Sequence, residues 1–262
     1  WDFARHVKNV RATGENGVPV QVQRIDKDTW RVERRGAGIL LSYTVFAGAL
    51  SESFSRVTAD FACLNGPSLF MYLEGKKHAP AALYVDLPKE AKWDLACGLP
   101  AGEGSAHFLA TDYDHLIDAP IVAGKFERFR FTAHEKPVYV VVQRKSGDDA
   151  LVAELAENCA RLVTACGTLF GGLPFDHYTF MFHFGQSPNG AMSGLEHRNS
   201  TLIIAPQAPS DREELRRATS IAAHELFHAW NVKRIRPIEL GPFDLSKEVH
   251  TRQTIQERHA RL

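Results

Sequence analysis

Apolar and polar residues alternate in short runs along the first half of the chain. Val18-Pro-Val-Gln-Val-Gln-Arg-Ile25 and Thr29-Trp-Arg-Val-Glu-Arg34 largely keep a period of two, as strands with one buried face do. Ile39-Leu-Leu-Ser-Tyr-Thr-Val-Phe46 does the same with more apolar positions. Gly14-Glu-Asn-Gly17 and Gly36-Ala-Gly38 supply turns between these runs. Pro19 has no amide hydrogen for a ladder, so it belongs at the start or the edge of its strand. Ala82–Leu87, Phe126–Phe131 and Pro137–Gln143 are further strands by the same reading. Short strands with turns between them predict a β-rich, sandwich-like part.

Near residue 148 the period changes. Leu151, Leu155, Leu162, Val163 and Leu169 give a helical apolar face between Asp148 and Leu169, and Gly171-Gly172-Leu173-Pro174 ends it. Tyr178–Phe184 and Thr201–Ala205 are continuous apolar runs of strand length, as buried strands are. Ser210-Asp-Arg-Glu213 has the spacing of a capping box, which predicts a helix from there through His228. The pattern therefore predicts an α+β chain. A β-rich, sandwich-like domain spans 1–150 and an α/β domain spans 151–262.

Composition narrows the function classes. The 262 residues are 44% hydrophobic and 24% charged, an ordinary globular balance. Lys+Arg 31 against Asp+Glu 31 gives a formal net charge of zero, so neither nucleic acid nor an anionic membrane surface is favoured as a partner. No apolar stretch approaches the roughly 20 residues needed to span a bilayer. The opening residues Trp1-Asp2-Phe3-Ala4-Arg5-His6 lack a signal-peptide layout, and neither a cytoplasmic nor an exported location is favoured. Four cysteines do not make a disulfide scaffold. Cys159 and Cys166 fall on a similar helical face and read as small buried hydrophobes.

The chemistry is concentrated in His224-Glu225-Leu226-Phe227-His228, an HExxH motif. Residues four apart share one helix face, so two imidazoles there can hold one zinc ion, with the intervening Glu225 as general base. A zinc peptidase needs a third protein ligand. The downstream carboxylates are Glu239, Asp244, Glu248 and Glu257, and Glu248 has a thermolysin-like separation from His228. A second constellation, Ser193-Gly-Leu-Glu-His197, lies between two candidate strands. An edge strand can bind an extended peptide by adding it to the sheet, and Glu196 could hold that peptide's α-amino group. The residues alone leave open whether Glu196 is such an anchor or an ordinary turn carboxylate.

Together these segments resemble the M61 family of zinc peptidases, the glycyl aminopeptidases. His224-Glu-Leu-Phe-His-Ala-Trp-Asn-Val-Lys-Arg-Ile-Arg-Pro237 is similar to that family's extended zinc-helix signature, and Leu240-Gly-Pro-Phe-Asp244 continues it. Gly194-Leu-Glu-His197 with Ser200 resembles its Gly-Leu-Glu-His segment. Phe170-Gly-Gly-Leu-Pro174 and Thr111-Asp-Tyr-Asp-His-Leu-Ile-Asp-Ala-Pro120 resemble further family segments. The resemblance implies a β-rich N-terminal domain followed by the start of a thermolysin-like catalytic domain. It implies zinc on His224 and His228, Glu225 as base, Glu196 at the substrate's amino group, and a peptide substrate with a small first residue such as Gly or Ala. Two departures stand out. Ser193 replaces the first of two family glycines. Thr251-Arg-Gln-Thr-Ile-Gln-Glu-Arg-His259 lacks the Trp and Glu-Gly of the family's third-ligand segment. Glu248, Glu257 or a residue outside this chain then remain as the third ligand. The alternatives to an aminopeptidase are a catalytically silent peptide-binding module of the same fold and a zinc endopeptidase. Lys233-Arg-Ile-Arg236 reads as a solvated basic helix end that suits the macrodipole.

Overall fold

The structure is a computed structural model that describes residues 2–235 apart from 16, 34–37, 52–53, 105, 186 and 188–189. Its first part is built from β1 (Val7–Gly14), β2 (Pro19–Val20), β3 (Val22–Arg24), β4 (Trp30–Val32), β5 (Ile39–Val45), β6 (Arg56–Val57), β7 (Phe61–Leu64), β8 (Ala81–Tyr84), β9 (Asp94–Cys97), β10 (His107–Ala110), the short helix α1 (Tyr113–Ile117) and β11 (Ile121–Gly124). These strands form small antiparallel sheets ordered β2-β1-β5, β3-β4, β10-β8 and β6-β7-β11-β9. The strand expected over Val18–Ile25 is two strands, because the chain changes partners at Gln21. Pro19–Val20 pairs with β1 and Val22–Arg24 pairs with β4. β1 escapes the alternation rule because Asn9, at φ 55, makes a bulge between Lys8 and Arg11.

The second part follows as β12 (Glu127–Ala133), β13 (Lys136–Gln143), α2 (Asp149–Leu169), β14 (Tyr178–Phe184), β15 (Ser193–Glu196), β16 (Ser200–Ala205) and α3 (Arg212–Phe227). Its strands make one mixed sheet in the order β12-β13-β14-β16-β15. β13, β14 and β16 run parallel, while β12 and β15 close the two edges antiparallel. The change of sheet therefore falls between Gly124 and Glu127. The boundary near residue 150 followed the first long helix, but by pairing the β12–β13 hairpin belongs to the second part. That hairpin turns through His134 and Glu135, at φ 46 and 62, without a glycine to signal it. The His134 ring donates to Thr164 O at 2.9 Å and fills the space over Gly167, where a Cβ would come within 2.6 Å of it.

The mixed sheet is buried on both faces. Val138, Val140, Val142, Phe180, Phe182, Ile203 and Ala205 pack on α2 and α3 through Val152, Leu155, Val163, Ala218 and Leu226. Val141, Met181, Leu202 and Ile204 pack on Leu50, Cys63, Ala96 and Val122 of the first part. Two-sided burial explains why β14 and β16 are continuous apolar runs rather than alternating ones. Cys159 is fully buried in the helical core and Cys166 is partly buried, both as free thiols. No helix among the described residues is long and apolar enough to cross a membrane.

Candidate metal centre and its edge strand

α3 carries the centre, and its start is fixed by reciprocal hydrogen bonds. Asp211 accepts from Glu214 N at 2.8 Å, and Glu214 accepts from Ser210 N at 2.8 Å. The cap is thus one residue later than the Ser210–Glu213 pair expected, because Glu213 turns outward to Arg216 and Arg217. Leu215, Ala218, Ala222 and Leu226 bury one stripe of the helix against the sheet. α3 ends at Phe227. His228 still has helical dihedrals, φ −62 and ψ −17, so it stays one turn above His224 on the same face.

His224 is half-buried, while Glu225 and His228 are buried. The ligand-type atoms of these three residues all lie within 4.8 Å of one another, so the group can hold a metal ion. His228 Nδ1 donates to Asn231 O at 2.8 Å, which places the lone pair on Nε2. That Nε2 lies 3.2 Å from His224 Nε2, with the two rings perpendicular. Two nitrogen ligands of a tetrahedral zinc, each at about 2.0–2.1 Å, stand about 3.3 Å apart. The imidazole pair fits that ion without rearrangement of the helix. The carboxylates considered for a third ligand, Glu239, Asp244, Glu248 and Glu257, lie outside the described residues, as do Arg236, Pro237 and the Leu240–Asp244 segment.

β15 crosses directly over Glu225. A Cβ built on Gly194 would stand 2.6–2.8 Å from the Glu225 carboxylate, so glycine alone permits this approach. Glu196, two residues along the strand, points to the same side of the sheet as Gly194. The structure therefore brings Glu196, His224, Glu225 and His228 to one region. β15 pairs with β16 and forms the sheet edge, and no other strand among the described residues pairs with its outer side. Tyr178 lies beneath. Burial and then the negative charges of Glu225 and Glu196 push its hydroxyl well above its usual range, and that hydroxyl makes no hydrogen bond among the described residues.

Lys233 and Arg234, in the described part of the basic run after His228, do not form a solvated helix end. Lys233 Nζ lies 2.8 Å from Asp118 Oδ1, and Arg234 donates to Ala229 O, Pro174 O and Arg198 O at 2.6–3.1 Å. Burial lowers the Arg234 guanidinium to about 10. Asp118 also accepts from His197 Nδ1 and from the Arg198 backbone N–H, both at 3.1 Å. These contacts join segments as far apart as Asp118 and Lys233 in the sequence, so no local spacing announces them.

The model of the Peptidase M61 N-terminal domain matches residues 1–125, and that of M61 glycyl aminopeptidase matches residues 217–256. The chain belongs to the M61 peptidase family. Its fold is similar to the crystal structure of an aminopeptidase N family protein from Idiomarina loihiensis, with TM-score 0.86 and 28% identity. The match covers 95% of this chain and 44% of that one, so the chain spans less than half of that protein's length. No protein of curated function matches the chain by sequence.

Proposed function

We propose that this chain binds zinc through His224 and His228 and serves an aminopeptidase that hydrolyses the N-terminal peptide bond of substrates with a small first residue, such as Gly or Ala. The observation that carries this reading is the pair of imidazole nitrogens 3.2 Å apart on one helix face, beside a Glu225 covered by the edge strand at Gly194. The glycyl aminopeptidase description of the matching family and the aminopeptidase description of the similar structure support the substrate class.

Zinc, when bound, supplies a Lewis acid that polarises the scissile carbonyl and brings the pKa of water toward ~7. Glu225, between the two ligands, accepts a proton from the attacking water and returns it to the leaving amine. Gly194 leaves room for that carboxylate beneath the edge strand, where any side chain would displace it. The outer edge of β15 receives the substrate as an added strand. Glu196, on the same side as Gly194, pairs with the free α-ammonium and sets the first peptide bond over the centre.

Glu225→Gln tests the base. The variant is expected to keep about one zinc per chain and to lose about 10²-fold or more in kcat on a glycine anilide. Undiminished turnover would sink the assignment. Cleavage of substrates with blocked amino termini would favour an endopeptidase. Absence of metal and of turnover, with peptide affinity kept, would favour a silent binding module.

A further inference from the structure

The N-terminal domain contributes a carboxylate to the catalytic region. Asp118 closes α1, where its own N–H donates to Asp114 O at 3.1 Å. The end of α1 is held tightly, since a Cβ on Gly66 would come within 2.5 Å of Ile117 O. Ala119, the next residue, is 2% exposed in the apolar core of the first part. From this fixed base Asp118 makes three contacts across the domain boundary. Oδ1 accepts from His197 Nδ1 at 3.1 Å and from Lys233 Nζ at 2.8 Å, and Oδ2 accepts from Arg198 N at 3.1 Å.

Each contact reaches a segment next to the proposed site. His197 and Arg198 follow Glu196 at the end of β15. Lys233 follows Asn231, whose carbonyl orients His228. The His197 side chain is almost fully buried and Lys233 is mostly so, which raises the strength of contacts to a charge. Burial opposes ionisation of Asp118, but Lys233 and the His197 hydrogen bond outweigh it and hold the carboxyl well below the usual carboxylate range. Arg234 holds the Arg198 carbonyl from the opposite side, so the turn after Glu196 is gripped by both its N–H and its C=O.

We propose that Asp118 is a positioning residue for substrate: an N-terminal-domain carboxylate that fixes the end of β15, and with it Glu196, relative to the segment following the His224–His228 helix. This rests on the reading of Glu196 as the amino anchor. Asp118 touches neither substrate nor metal in this account. Its effect falls on how well the free amino terminus is bound.

The test is Asp118→Asn in the zinc-loaded full chain, which keeps the size of the side chain and removes its charge. KM for a glycine anilide is expected to rise about tenfold, with kcat within about twofold and zinc content unchanged. The Arg198 amide, followed by hydrogen exchange, should exchange about tenfold faster or more. Lys233→Gln, which leaves the His197 and Arg198 contacts in place, should move KM in the same direction and covers the case in which Asp118→Asn does not fold. An unchanged KM, with or without a fall in kcat, overturns the proposal, because a purely structural role would lower the active fraction and spare KM. If the wild-type chain binds zinc but does not turn over the anilide, the aminopeptidase reading fails. The clamp then stands or falls on the exchange rate of Arg198, and an unaltered rate overturns it.

Discussion

Gly194 shows how one missing side chain sets the geometry of the proposed base. The strand passes so near Glu225 that a methyl group would overlap the carboxylate. Gly194→Ala is therefore expected to displace Glu225 without removing either imidazole. Zinc content should stay near that of the wild type, while kcat on a glycine anilide falls about a hundredfold, the scale of a roughly 1 Å misplacement at a reacting group. Ser193→Ala, one position away on the opposite face of the strand, is the control, and an equal loss there would refute the argument. At this scale the sequence was most informative where chemistry is local. His224 and Glu225 lie in the last turn of α3 and His228 caps it one turn on, so their spacing alone defines the group. Asp118 and Lys233 are opposite in this respect. Their contact depends on the packing of two domains, and a basic run after a helix has a simpler local explanation in the macrodipole.

At the scale of elements, strength of periodicity decided what could be read. β14 is apolar at every position because both of its faces are covered, and its limits, Tyr178–Phe184, match the expected run. α2 matches within a residue, since Asp148 caps it by accepting from Leu151 N at 3.0 Å. β1 was hidden by its bulge, and the membership of β12 and β13 was hidden because alternation reports a face and not a partner. The start of α3 makes the same point with a measurable consequence. Asp211, rather than Ser210, satisfies the first turn, so Asp211→Ala should cost about 1 kcal/mol. For a chain of this size that is a fall in Tm of about 2–4 °C by thermal unfolding. Ser210→Ala keeps the Asp211 cap and should cost less, and the reverse order would place the cap at Ser210 after all.

The whole molecule is organised around a sheet with α2 and α3 on one face and the N-terminal domain on the other, and His183 lies in the second of these interfaces. Its ring packs on Phe61 at 4.4 Å between centroids, and its Nδ1 donates to Gln143 Oε1 at 2.7 Å. Burial, and then repulsion from Arg56, lowers it from 6.5 to about 4. The unfolded chain therefore takes up a proton between pH 6.5 and 4 that the folded chain refuses. Stability contributed by the neutral ring is complete above pH 6.5, declines as pH falls through this window, and declines no further below about pH 4. By pH 5 the loss amounts to about 2 kcal/mol. Asp118 adds the same sign at lower pH: its carboxyl is depressed in the folded chain, so its contribution is present above the ordinary carboxylate range and fades beneath it. Because His183 joins the two domains, acid should loosen the N-terminal domain from the sheet before the helical core gives way. Hydrogen exchange at pH 5 should then show β7 and β11 losing protection ahead of α2. His183→Gln, which cannot take up the proton, should flatten the dependence of Tm on pH between 7 and 5. A slope identical to that of the wild type would assign the acid sensitivity to other groups.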